Sequence, residues 1–380
     1  MKVERPRLIP RSYSFSGRPK TSWGLSQFSS DESGTVPLAK VEVVAGRPLR
    51  FIAGAALALA WLSLAQAAPE PFTIVAMPDI QNETEHHPEM LQSQITWIVG
   101  HRASLNIACV VQQGDITNHG NQPEYSTAHR IMFQLSKVNG LPWGTCPGNH
   151  DFKGGVGPAL YDRFFGPANF AGKDWCGTSA KGHSSYLTFV AGGRKYLVLN
   201  IAYDAHAPVL QWAQGVIDAH AGLPTIINTH DYIAYHQKRS RYGNILFHKL
   251  VENNSQVFMV ICGHNHYAWN QTTPDAAGKP VFELLADYQS TNCGDGYLRL
   301  YQFDEAHSVI HAKTYSPYDQ KTRYLTDPYN QFELKMNFND RLGAAIGSKR
   351  KAAALGDGRR GDALAFGDGP TASRPFAKMN

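Results

Sequence analysis

The sequence predicts an α/β (α+β) chain in which a central sheet is fed by helices and a β-rich second half forms the second sheet of a sandwich. Three observations carry this. Apolar runs of strand length alternate with amphipathic stretches from residue 72 to about residue 260. The apolar runs after residue 280 follow one another with no helical stretch between them. A chain of 380 residues that is 43% apolar is long enough to bury a large core.

In order, "PFTIVAM" reads as a buried strand, "MLQSQITWIVGHR" as an amphipathic helix, "LNIACVVQQ" as a second strand and "EYSTAHRIMFQLSKV" as a second helix. A short third strand lies in "LPWGTCPGNHD", and "SSYLTFVAGGRKYLVLNIAY" is a hairpin hinged at Gly192 and Gly193. The helix "VLQWAQGVIDAH" leads to the strand "PTIINTHD", and the helix "GNILFHKLVENN" leads to "QVFMVICGHNH". The runs "PVFELLADYQ", "GYLRLYQFD" and "SVIHAKTYSP" are expected to form an antiparallel meander. From residue 343 to 380 the chain turns to Ala, Gly, Arg and Asp without periodicity, which reads as a disordered tail.

The formal charge of +5 does not point to nucleic acid, because the Lys and Arg surplus sits at the two ends and leaves the middle mildly acidic. Arg47 and Arg50, the apolar run Phe51 to Leu64 and the triplet Ala65-Gln66-Ala67 have the layout of a secretory signal peptide over residues 47–68, cleaved after Ala67 or Ala68. The run falls short of the roughly 20 apolar residues that span a bilayer, so no stable membrane span is expected after cleavage, and the mature protein is expected to be secreted or periplasmic. Residues 1–46 read as a disordered extension or an over-extended start, with translation beginning near Val41 or Val44. The five cysteines form no CxxC pair, which excludes a zinc ribbon; Cys176 and Cys293 are the candidates for a disulfide, and Cys109 and Cys262 for the core.

The chemistry lies in five short motifs. These are "PDIQ" with Asp79 and Gln81, "GDITN" with Asp115, "GNHD" with Asn149 and His150, "NTHD" with His230, and "GHNH" with His264 and His266. Each follows a strand, where α/β sheets place their ligand sites. An i, i+2 spacing in extended chain sends Asp79 and Gln81, and likewise His264 and His266, to one side. Alone, each motif reads as a turn or a structural histidine. Together they supply three imidazoles, two carboxylates and two amides, a set suited to two divalent cations, with Asp115 able to bridge them. Such a pair activates a bridging hydroxide and clamps a phosphoryl oxygen, and His150 would protonate the leaving oxygen.

In these motifs the chain resembles the calcineurin-like metallophosphoesterases over roughly Phe72 to Leu334, a domain bounded here as residues 69–342. The resemblance implies two mixed β-sheets packed as a sandwich and flanked by helices. It also implies metal ligation at Asp79, Asp115, Asn149, His230, His264 and His266, with His150 as proton donor, and hydrolysis of a phosphate mono- or diester supported by two divalent ions (Mn, Fe or Zn). The expected partner is a small or polymeric phosphate ester, with no nucleic acid beyond a possible substrate. Gln81 stands where the family usually has His, and resembles a bacterial exported branch with D-x-Q there and with similar "LLADYQ", "GDGYLRLYQF" and "TYSPY". Its amide oxygen is a weaker donor than imidazole, so the site it would share with Asp79 and His266 is expected to be the labile one, beside a firmer site of Asn149, His230 and His264. His86 and His87, in a stretch read as an exposed polar loop, are the alternative ligands. The lack of Arg after "GDITN" disfavours the phosphoprotein phosphatases, and the motif is closer to phosphodiesterase-like members. The rival to an enzyme is a non-catalytic metal- or ligand-binding exported protein with a weakened first site.

Overall fold

Phe72, Ile74 and Ala76 pack on one side of the first strand and Val75 and Met77 on the other, and all five are buried. A strand apolar on both faces needs cover on both, and that requirement sets the layering. The structure is a computed structural model that describes residues 69–173, 176–178, 183–321 and 323–343. The expected extension, signal peptide and, past Gly343, the tail lie outside the described residues.

Strands β1 (Phe72–Met77), β2 (Ile107–Gln112) and β3 (Trp143–Thr145) alternate with helices α1 (Gln81–His86), α2 (Pro88–His101) and α3 (Gln122–Met132), and α4 (Gly157–Phe165) follows. Next come β4 (Cys176–Thr178), the hairpin β5 (Ser185–Ala191) and β6 (Arg194–Ile201), then α5 (Ala207–Ala219) and β7 (Thr225–Thr229). A ribbon of β8 (Ile233–Ala234) and β9 (Lys238–Arg239) precedes α6 (Arg241–Leu246), which runs on into a π turn over Phe247–Val251. The remaining strands are β10 (Val257–Cys262), β11 (Ala268–Pro274), β12 (Pro280–Ala286), β13 (Leu298–Asp304), β14 (Val309–Tyr315), β15 (Tyr324–Leu325) and β16 (Gln331–Lys335), followed by α7 (Phe338–Leu342).

Among the described residues these strands form two seven-stranded mixed sheets. One runs β15-β14-β13-β1-β2-β3, with β16 also on β14, and the other β11-β12-β10-β7-β6-β5-β4. Residues of both sheets interleave in one apolar layer, where Phe72 stacks on Phe303 at 4.7 Å and Phe189 on Tyr196 at 5.0 Å. Helices α2 and α3 cover the outer face of the first sheet, and α5 and α6 that of the second. None of the described helices is long and apolar enough to cross a membrane.

Four expectations need correction. The meander forms only in part: β13 and β14 pair antiparallel as expected, but β12 pairs parallel with β10 in the second sheet, while β13 lies antiparallel to β1 in the first. The near-continuous apolar run of β12 suits a sheet interior, and its hairpin partner is the polar edge strand β11, whose "AWNQTTP" carries little strand signal. The stretch read as an exposed loop contains helix α1, with Gln81, Glu83 and Thr84 buried. Helix α4 was not anticipated. Cys176 and Cys293 are free thiols, the first packed beside the helices of the first sheet and the second in a tight turn at φ 61°.

Candidate metal centre

The parallel strands bring their carboxyl ends together, and the loops leaving β1, β2, β3, β7, β10 and β12 touch one another. Asp79 follows β1 and accepts the His264 backbone N–H, with N···O distances of 3.2 and 3.0 Å to its two oxygens. Asp115 follows β2 and accepts the His150 backbone N–H at 2.9 Å. The two glycines that open "GNHD" and "GHNH" make these approaches possible. A Cβ on Gly148 would stand 2.1 Å from Asp115 Oδ1, and one on Gly263 only 1.9 Å from Asp79 Oδ1. Asp115 and His264 hold left-handed backbone at φ 50° and 73°, strain of a kind that collects at functional sites.

His230 is the middle of the cluster. It is fully buried, and its Nδ1 donates to the Gln113 carbonyl at 3.0 Å, which leaves Nε2 as a bare acceptor. Around Nε2 stand Asn149 Oδ1 at 3.0 Å, His264 Nδ1 at 3.1 Å and Asp115 Oδ2 at 3.3 Å. Lone pairs of nitrogen and oxygen facing one another in a buried space call for a cation between them. Burial alone would lower the His230 imidazole, yet the Asp115 and Asp79 carboxylates outweigh it and raise it to about 10, so that without a metal a proton on Nε2 takes the place a cation would fill. Asp115, His230 and His264 each offer a ligand atom within 4.8 Å of the others. The donor set therefore fits a divalent metal ion.

The other half of the cluster differs from expectation. Gln81 opens α1 instead of continuing an extended run, so the i, i+2 rule does not place it beside Asp79. Its Nε2 donates to Asp115 Oδ2 at 3.1 Å and to Gln289 Oε1 at 2.5 Å, and its buried Oε1 has no hydrogen-bond partner. His266 is exposed, with Nδ1 2.6 Å from Ser290 Oγ, because the left-handed turn at His264 breaks the strand alternation. Asp287 and Gln289, which follow β12, occupy this half instead. Gln289 Nε2 donates to Asp287 Oδ2 at 3.0 Å and to Asp79 Oδ2 at 3.3 Å. Burial, then the Asp287 charge, push the Asp79 carboxyl well above the usual range, which marks an excess of negative charge awaiting a cation. His86 and His87 bond to Glu85 and Glu89, outside the cluster.

His150 lies outside the converging atoms. Its Nδ1 is 2.7 Å from Asn118 Oδ1, and Lys153 Nζ is 3.1 Å from its Nε2. Asn118 is itself braced, its Nδ2 donating to Glu85 at 2.6 Å and its N–H to Glu124 at 2.7 Å. Asp151, named by "GNHD" but given no role by sequence, accepts the N–H groups of Ile116, Thr117 and Gly148 and so fastens the β2 and β3 loops to each other. Burial, then the Asp115 charge, push its carboxyl up to about 7. Tyr203 after β6 was also missed, and its ring centre lies 6.0 Å from that of His230 and 5.9 Å from that of His264. Tyr288 of "LLADYQ" and Tyr315 of "TYSPY" are buried in packing.

Residues 72–268 match the family model of the calcineurin-like phosphoesterases. The uncharacterized protein YvnB of Bacillus subtilis (strain 168) is 33% identical over 289 residues, which cover 72% of this chain and 22% of that protein. The chain thus spans 22% of the length of this curated relative. Among solved structures, GAP50, the anchor in the inner membrane complex of Plasmodium, is similar over 79% of this chain and 99% of its own, at 13% identity and a TM-score of 0.44. TT1561 of Thermus thermophilus is similar over 61% of this chain and 94% of its own, at 12% identity and a TM-score of 0.36.

Proposed function

Since the chain belongs to the calcineurin-like phosphoesterase family, we propose that it is a metal-dependent phosphoesterase that hydrolyses a phosphate mono- or diester at the His230 cluster. The observation that supports this most is the inward face of His230, where a buried imidazole lone pair confronts Asp115 and Asn149 oxygens.

In this reading Asn149, His230 and His264 would hold one ion, Asp79 and Gln81 Oε1 would serve a second with Asp287 and Gln289 behind them, and Asp115 could serve both. Divalent ions there supply an acidified water as nucleophile and a clamp on the phosphoryl oxygens. The chain's own residues do the rest. Gln81 Nε2 and the His150 N–H fix the two oxygens of Asp115, so the shared carboxylate cannot rotate. His150, anchored through Nδ1 on Asn118, is the group we assign to protonate the departing oxygen, and Lys153, 2.7 Å from its Nδ1 and 3.1 Å from its Nε2, adds positive charge beside it. Exposed His266 stands at the rim, near enough to meet substrate.

Export to the periplasm or medium goes with the signal-peptide reading of residues 47–68, and N-terminal sequencing of the mature protein checks it. The deciding experiment for function is metal analysis of the purified mature protein alongside hydrolysis of mono- and bis-aryl phosphates. Bound metal with turnover is the expected result. Absence of both with every divalent cation tried would overturn the reading in favour of a non-catalytic role.

A further inference from the structure

Beside the cluster opens a cleft of about 420 Å³, within the range of small-molecule sites and large enough for an organic group of one or more rings. Asn149 forms its inner end, so cleft and candidate centre are continuous. Its walls are Phe152, Pro158, Tyr203 and Val209. Tyr203 stands at the junction, since the same ring lies near the imidazoles of His230 and His264 and lines the cleft.

This wall is built before any ligand arrives. The Tyr203 N–H donates to the Pro147 carbonyl at 3.0 Å, which ties it to the loop carrying Asn149. On either side, the Ala202 N–H donates to Ser184 and the Ala205 N–H to Tyr242, both at 3.0 Å. Phe152 packs on His183 with ring centres 5.0 Å apart. The charge in the cleft is also informative. Among the described residues its lining includes Asp204 and the imidazoles of His183 and His206, the first of them 2.7 Å from Asp162, and no Lys or Arg. A second phosphate or carboxylate on the substrate would find the fixed like charge of Asp204 there and no permanently charged Lys or Arg to offset it, at a cost in affinity.

We propose that the substrate is a phosphoester whose organic group is apolar or aromatic, carries no second anionic charge, and lies on Tyr203 in this cleft. The inference rests on the phosphoesterase reading and makes Tyr203 a specificity-determining residue. A nucleoside di- or triphosphate is disfavoured as substrate by the same argument.

The test is calorimetric binding of three stable phosphonates to the full chain loaded with Mn²⁺. Phenylphosphonate is expected to bind roughly tenfold or more tightly than methylphosphonate, the return on burying a ring against an aromatic wall. In Tyr203→Ala that preference should fall to about threefold or less, and Tyr203→Phe should restore it, because the ring and not the hydroxyl makes the contact. With 4-carboxyphenylphosphonate, binding should weaken relative to phenylphosphonate, and Asp204→Asn should narrow the gap. Equal affinity for phenyl- and methylphosphonate, or a preference that survives Tyr203→Ala, overturns the inference and leaves the phosphoesterase reading standing. If neither phosphonate binds the metal-loaded protein, both fall together.

Discussion

The two halves of the candidate centre are built from different donors. Around His230 the chain brings two imidazoles, an amide oxygen and a carboxylate to converge on one point. Around Asp79 it sets only oxygen donors, with Gln81 and Gln289 paired amide to amide and the expected imidazole of His266 out in solvent. The first half should hold borderline ions such as Zn²⁺ firmly, and the second should favour harder ions and release them sooner. Two ions bound there would not form a matched pair, with Gln81, Asp287 and Gln289 in the second half where the first has imidazoles.

The comparison is broken most completely at Asp115, the residue the halves share. Asp115→Asn should empty both, with metal analysis showing loss of both ions and kcat falling about 10²–10³-fold, the scale of losing one preorganised electrostatic contact. A variant that keeps one ion would show that the carboxylate serves one half alone. His150→Asn should leave metal content in both halves unchanged. Its effect on kcat should approach roughly 10²-fold for alkyl esters and be far smaller for nitrophenyl esters, which need little help in leaving. Loss of the same size for both ester types would remove His150 from proton transfer.

Gln289→Leu sharpens the comparison, since it deletes the donor that holds Asp79 and Asp287. Stepwise metal titration should show the weaker affinity falling about 10–100-fold, with the tighter affinity unmoved. The smallest effect is expected from Gln81→His. An imidazole there should draw the two affinities closer, by roughly tenfold at the weaker half, and shift that half toward Zn²⁺. Identical titrations for this variant and the parent protein would mean that Gln81 acts through its nitrogen on Asp115 and never through its oxygen.

Much of the fold was legible because β1, β2, β7 and β10 are buried on both faces and so write themselves as short apolar runs between polar turns. The edge strand β11 was not legible, because an edge tolerates the polar residues that a centre excludes. Helix α1 escaped for a related reason: its buried positions are the polar Gln81, Glu83 and Thr84, the first two held by Asp115 and Gln94. Nor does sequence order reveal which sheet a strand joins, which is why β12 and β13 were misread as neighbours. In the site, residues introduced by a glycine motif could be found. Tyr203, and Asp287 and Gln289 of "LLADYQ", could not, because no glycine introduces them and they take their meaning from what lies opposite them.

Asp79, Asp115 and Asn149 come from the first sheet, and His230, His264 and Asp287 from the second. An ion held among them therefore spans the seam of the sandwich, and its binding energy counts toward keeping the sheets docked. Such an ion is a rivet as well as a reagent. At a free concentration 100-fold above its dissociation constant it would add about 2.7 kcal/mol to folding. A chelator should thus lower the melting temperature as well as stop the chemistry, and the chain should become fully rigid only where the surrounding medium supplies the metal.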